Sequence, residues 1–341
     1  MKRIIAGLSA LGLAFSLAQP AQAQTADAEW QKVVDAAKQE GGVTFYASFL
    51  GADFQKQIVE TFTEEYGIPV TVLDVRAPEL RERIRTEHAT GRVVGDVFWT
   101  GFSALDMIAE GLIGKFGTLP NAANVSPGLQ DLVTDQYVPT HAGFYGIMIN
   151  TNEVKPEDEP KAWADLLDPK WKGRILSDDM RTQGGGLNLF AALYKAHGAE
   201  YHEKMAQQAP VFSRDIGNDE RRVARGEFPL RIPQFYGSFG QLAGLPVKFI
   251  MPEEGAPYTQ GLMVMLDGAP HPNAARLFIN HYLSERVQLM FAENGVRPVM
   301  DGLGDKVQTE QGKLASTVKL LGTAMPDQMQ SLLDLSAKIY K

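Results

Sequence analysis

Between Val43 and Ile113 the chain alternates, at short intervals, segments patterned as buried strands with segments patterned as amphipathic helices. "VTFYAS" is β-branched and aromatic. "FLGADFQKQIVETFTEEYG" carries Phe54, Ile58 and Phe62 at helical spacing and stops at Gly67. "IPVTVLDV" reads as the next strand, "ELRERIRTEHATG" as a helix, "GDVFWT" as a strand and "SALDMIAEGLI" as a helix. Successive strands separated by helices pair through crossover connections, which demands a parallel sheet with helices on both faces. A helix with Trp30, Val33, Val34 and Ala37 on one face leads into this run and ends at Gly41-Gly42.

The alternation breaks at "THAGFYGIMINTNEV", a long apolar strand pattern, followed by the polar, proline-containing "KPEDEPKAWADLLDPKWKGR". It restarts at "ILSDD". A second interruption, "QFYGSFGQLAGLPVKFIMPEEG", leads to "APYTQGLMVMLDGAPHPNAARLFINHYLSERVQ". Two α/β lobes follow, each a mainly parallel sheet flanked by helices, with the chain crossing near 142–150 and near 257–264. The expected boundaries are 24–145 plus 258–300 for the first lobe and 146–257 for the second, with C-terminal helices over 301–341 assigned to neither. Two crossings make a hinged cleft.

The N-terminus, "MKRIIAGLSALGLAFSLAQPAQAQ", has the basic start, apolar middle and small-x-small end of a secretory leader, with cleavage expected after Ala23. Its apolar run is short for a membrane span, so export to the periplasm is expected. There is no cysteine, which excludes disulfides, thiolate metal sites and cysteine nucleophiles. The formal net charge is −8, more negative still without Lys2 and Arg3, which disfavours nucleic acid as a partner.

The order of these segments resembles a known family. A leader, "VTFYASF", "GDVFWTGFSALDMIAEGLI", "GFYGIMINTNEV", "WKGRILSDDMRTQGGG", "ARGEFPLRIPQFY", "GLPVKFIMPEEGAPY" and "HPNAARLFINHYLSERVQ" together look like family 1 extracellular solute-binding proteins, the periplasmic receptors of ABC importers. The likeness covers nearly the whole chain after the leader, and rests on order and spacing rather than on any one motif. It implies a type II two-lobed fold that closes on a solute, works as a monomer without a cofactor and delivers to a membrane permease. The branch it suggests holds ferric-ion, phosphonate and sugar-phosphate receptors.

Ligands of parallel α/β sheets sit beyond the carboxyl ends of strands. This selects Ser48 and Phe49 after the first strand, Thr100 and Ser103 after the third, and Arg181, Thr182, Gly184 and Gly185 in "LSDDMRTQGGGLNLF". Three glycines opening a helix expose N–H groups and the positive end of its dipole, which suits a carboxylate or phosphate, with Arg181 as a bidentate partner. The resemblance adds Asn218, in the polar loop before "DERRVARG", together with Tyr236 and Tyr258. Arg221, Arg222 and Arg225 read as a solvated helix face, and His141 and His271 as surface or structural groups. Ferric receptors of the branch carry paired tyrosines at the positions of Phe235 and Tyr236; here the first is a phenylalanine. An iron reading therefore has Tyr46, Tyr145, Tyr236 and Tyr258 as its oxygen donors, with Asp53 the nearest acid to the first strand, and the expectation is no metal.

A hydrolase would want a G-x-S-x-G turn, and Gly101-Phe102-Ser103-Ala104-Leu105 lacks its second glycine. Phosphate-loop and dinucleotide glycine motifs and zinc-ligand spacings of histidine do not occur. The expected activity is binding of a small anionic or polar organic solute, with ferric ion as the alternative and a secreted hydrolase as the remote third.

Overall fold

The computed structural model describes residues 19–47, 53–102 and 105–341, with side chains from Asp27 onward. The expected leader lies outside the described residues up to residue 18, and helix α1 (Gln19–Glu40) runs across the expected cleavage point. The first lobe then builds β1 (Val43–Ala47), α2 (Asp53–Tyr66), β2 (Val70–Asp74), α3 (Ala77–Ala89), β3 (Val97–Thr100) and a single turn, α4 (Asp106–Ala109). That last helix is shorter than its sequence pattern, because the chain turns at Gly111 with φ +73°. β2, β1 and β3 pair in parallel, in that order.

The long strand β4 (Tyr137–Asn150) leaves this lobe. The second lobe contains β5 (Ile175–Asp178), α5 (Gly185–Gln207), β6 (Val211–Ser213), α6 (Ile216–Ala224), β7 (Leu230–Phe235), the short α7 (Tyr236–Phe239) and β8 (Val247–Ile250). Strand β9 (Ala256–Met265) returns to the first lobe. There α8 (Pro272–Tyr282), α9 (Glu285–Glu293), β10 (Arg297–Pro298) and α10 (Glu310–Thr317) follow, then β11 (Leu320–Gly322) and α11 (Met329–Ile339).

The fold is α/β with two lobes. The strand order is β2-β1-β3-β9-β4-β7-β5-β6. β4 pairs antiparallel with β9 over Tyr137 to Phe144, and with β7 and β8 over Tyr145 to Asn150, so one continuous strand serves both lobes. Each lobe thus keeps a parallel set, β2-β1-β3 or β7-β5-β6, and is completed by antiparallel crossing strands. The inner parallel strands β1, β3, β5 and β7 are buried on both faces, which is why they read as apolar runs, while the edge strands β2 and β6 are partly exposed.

The first lobe's core is aromatic. Phe278 of α8 meets Phe45 at 4.9 Å and Phe62 at 5.0 Å, so α2 and α8 share one face of the sheet. The other face packs Leu80 and Ile84 of α3 against Tyr46 and Phe98. The second lobe closes around Trp163, Phe190, Ile232 and Leu230. α11 docks there: Leu332 and Tyr340 join this core, and the Ser336 hydroxyl donates to the Met180 carbonyl at 2.7 Å. α10, by contrast, packs against α9. A small cluster of Phe144, Ala256, Ala315 and Val318 sits where β4, β9 and the last strand meet.

Candidate functional site

The glycine segment finds its partner inside the protein. Gly184 has φ +145°, in the region that favours glycine. A Cβ on Gly186 would stand 2.6 Å from the backbone carbon and oxygen of Asp179, and one on Gly185 would stand 3.1 Å from both Asp178 Oδ2 and the Tyr145 ring. The bare backbone lets the start of α5 press against the end of β5. The Gly186 N–H donates to Asp178 Oδ2 at 2.8 Å, so the anion at this helix N-terminus is the protein's own carboxylate. Burial pushes the Asp178 carboxyl above its ordinary range, against the pull of the Gly186 N–H and of Arg231.

This corrects the expectation of an anion clamp. Arg181 is committed to Asp179 through Nε at 2.8 Å and Nη2 at 3.0 Å, and its guanidinium lies 4.7 Å over the Phe212 ring. Thr182 donates its hydroxyl to the Asp179 carbonyl at 3.1 Å. Neither residue lines the main cleft.

That cleft, of about 500 Å³, opens between the lobes. Phe54 and Gln55 at the start of α2, with Trp99 and Thr100 at the end of β3, form the first-lobe wall; Phe235 and Gly237 form the second-lobe wall. The crossing strands make the floor. The Phe235 ring lies on Gly143, where a Cβ would come within 2.5 Å, and the His141 ring lies on Gly261 in the same way, at 2.2 Å. His141 stacks on Phe291 at 4.8 Å and 17°, and packs on Trp99 at 5.1 Å; Phe291 in turn takes the edge of Phe54 at 6.1 Å. Burial holds the His141 imidazole down at about 4, so it is neutral near pH 7.

Four residues of this lining carry a buried polar atom that finds no partner among the described residues: Gln55 Oε1, Trp99 Nε1, Thr100 Oγ1 and Gln260 Oε1. Leaving such an atom unpaired costs about 1–3 kcal/mol, and their convergence on one cleft makes it the candidate recognition site. Among the described residues lining it there is no Lys, Arg, Asp or Glu.

Of the residues selected from sequence, Thr100 lines this cleft. Ser48, Phe49 and Ser103 lie outside the described residues. Gly184 and Gly185 sit beyond Tyr145, whose ring packs on Phe235 at 5.3 Å. Asn218 is in the first turn of α6, its N–H donating to the capping Asp215 at 3.3 Å. Tyr236 stacks on Phe144 at 4.7 Å and belongs, with Tyr258, to the cluster at the crossing strands. Tyr258 lines a different cavity, beside Lys195 and Gly322.

Of the four phenols of the iron reading, Tyr236 and Tyr258 share the crossing-strand cluster, while Tyr46 lies in a different core of the first lobe. Tyr46 is buried in the first lobe, its hydroxyl donating to Glu87 at 2.6 Å, and burial with that bond pushes it to about 12. Among the described residues no group of His, Asp and Glu is placed to hold a metal ion. His271 is structural, with Nδ1 3.0 Å from the buried Asp96. Arg222 pairs with Asp219 and Glu227, and Arg225 with Glu227.

Sequence reasoning missed Gln55, Trp99, His141 and Gln260. Trp99 directly precedes Thr100, so the strand-end rule passed within one residue of it; the inward-facing glutamines carried no sequence signal.

Two α/β lobes joined by crossing strands, with a cleft between them, are the architecture of the periplasmic-binding-protein class. The chain belongs to the family of bacterial extracellular solute-binding proteins, whose model matches residues 96–320. Among curated relatives, Iron uptake protein A1 of Synechocystis is 28% identical over 279 residues, 72% of this chain and 73% of that one. The spermidine/putrescine-binding periplasmic protein of Escherichia coli is 26% identical over 255 residues, 69% and 71% of the two chains. The chain spans about half of another relative, an uncharacterized protein of Haemophilus influenzae, at 24% identity over 163 residues, 46% of this chain and 47% of that one. A Trichodesmium protein (IdiA, FutA) solved with iron and citrate superposes with a TM-score of 0.72 at 20% identity, covering 88% of this chain and all of that one. At that identity the likeness speaks for the fold.

Proposed function

We propose that this protein is a periplasmic receptor that closes its two lobes on a small polar organic solute and presents it to an ABC permease. One observation carries the reading: a cleft walled by both lobes whose lining combines aromatic faces with four unpartnered buried polar atoms. Such a mixture of apolar contact area and a few directional polar groups is the usual make-up of an organic-ligand site. A solute touching Trp99 and Phe235 together gains contacts in the closed form that the open form lacks, and that differential affinity drives closure.

The anionic solute expected from the glycine segment loses its support, because Asp178 already occupies the α5 N-terminus. The names of relatives favour ferric ion as the second reading. Against it, a hard Fe³⁺ centre wants several anionic oxygen donors, and the cleft lining offers two threonine hydroxyls, two glutamines, an asparagine and a neutral imidazole. Thermal-shift measurements with small polyols, amines, carboxylates and ferric citrate separate the two. Organic compounds should raise the melting temperature, and ferric citrate should leave the protein colourless. A coloured ferric complex with no organic stabilisation would overturn the proposal.

A further inference from the structure

Which charge the solute carries follows from the same cleft. We propose that it binds a small organic cation, an ammonium compound that also bears a hydrogen-bond acceptor. This rests on the reading of the cleft as an organic-solute site, and goes beyond it in naming the sign.

The first ground is what surrounds the cleft. An anion there would leave water for a lining with no Lys or Arg among the described residues, and a cation for one with no Asp or Glu, so the sign is set by the rings and the unpaired oxygens that line it. Nearby, Arg181 is held by Asp179, the Gly186 N–H of α5 by Asp178, and the buried Arg231 donates through Nη1 to the Pro233 carbonyl and Gln234 Oε1. The His141 imidazole is held neutral by burial, so it neither attracts an anion nor repels a cation.

Aromatic faces give the second ground. Phe54 and Trp99 wall one side and Phe235 the other, with His141 in the floor between them. The face of an aromatic ring is the negative end of its quadrupole and attracts a cation within about 6 Å of its centre, most strongly when water is excluded.

The third ground is the direction of the unpartnered groups. Gln260 is fixed in orientation: its amide nitrogen donates to the His141 carbonyl at 2.6 Å and to the Gly261 carbonyl at 3.1 Å. Its unpaired Oε1 is therefore an acceptor. Gln55 Oε1 is a second acceptor in the same lining. Two carbonyl oxygens without donors call for N–H groups, which an ammonium supplies while the carbonyl dipoles offset its charge. The unpaired Trp99 Nε1–H is a donor only, and calls for an oxygen acceptor such as a hydroxyl on the solute.

The test uses the intact exported chain and compounds matched in size but not in charge. Titration calorimetry is run with ethanolamine, 3-amino-1-propanol and 4-amino-1-butanol, then with 1,4-butanediol, succinate and ferric citrate. At least one ammonium compound should bind saturably and more tightly than butanediol or succinate. Gln55→Glu should tighten that ammonium about fivefold or more, and Phe235→Leu should weaken it by about the same factor while Phe235→Tyr retains it. Tighter binding of butanediol or succinate would overturn the cation and leave the organic-solute reading standing. Failure of all three ammonium compounds would also overturn it. A ferric complex with no organic binding would overturn both readings. Gln55→Glu weakening an ammonium would sink the charge argument even if wild type binds one.

Discussion

At Gly186 the sequence's most conspicuous feature turns into a stability question. A methyl group there meets backbone atoms of Asp179 at 2.6 Å, and backbone gives way less easily than a side chain. Gly186→Ala should destabilise the protein by about 1–3 kcal/mol in urea unfolding, whereas Gly217→Ala, with open space around it at the start of α6, should be neutral or slightly stabilising. Equal stability of the two variants would refute the packing role. Two buried histidines give a second residue-scale expectation. His202 lies between the Tyr340 hydroxyl at 2.7 Å and the Phe190 carbonyl at 3.0 Å; the His281 Nε2 lies 2.9 Å from the Thr61 hydroxyl. Burial lowers both imidazoles to about 4. Below an unfolded value of about 6.5 the unfolded chain takes up protons that the folded chain refuses. Each histidine therefore contributes stability that is present above that pH and is lost as pH falls toward 4. Replacing His202 by Gln should flatten the fall in unfolding free energy between pH 6.5 and 4; an unchanged slope would contradict its buried, neutral state.

Among the elements, α11 ties the end of the chain to the second lobe, although the segment just before it packs with the first. Leu332, 7% exposed, is its apolar anchor, and Leu332→Ala should cost about 2–4 kcal/mol. A loss under 0.5 kcal/mol would show that the helix is not part of the folded core. The elements were largely legible in the sequence because parallel strands buried on both faces leave unbroken apolar runs, as "VTFYAS" and "GDVFWT" do. The site was less so. Thr100, which lines the cleft, was selected because strand ends are where such sheets bind ligands. Gln55 and Gln260 were not, since a glutamine facing a cleft and one facing solvent look alike in sequence. The glycine triplet misled for a physical reason: an exposed helix N-terminus does attract an anion, and here β5 supplies it through Asp178. Arg181 misled likewise, being two residues from the Asp179 that holds it.

Across the whole molecule, β4 and β9 each run through both lobes, so any change in the interlobe angle must bend these strands or the cluster around Phe144 and Val318 beside them. Phe235 reaches the cleft from the second lobe and Trp99 from the first, which makes the solute itself the bridge. Small-angle scattering of the full chain, with and without saturating 4-amino-1-butanol and alongside Phe235→Ala, tests this most directly. The radius of gyration should shrink on binding in the wild type and stay unchanged in the variant. Saturable binding by calorimetry with no change in the wild-type radius would contradict closure of the lobes on a solute in this cleft.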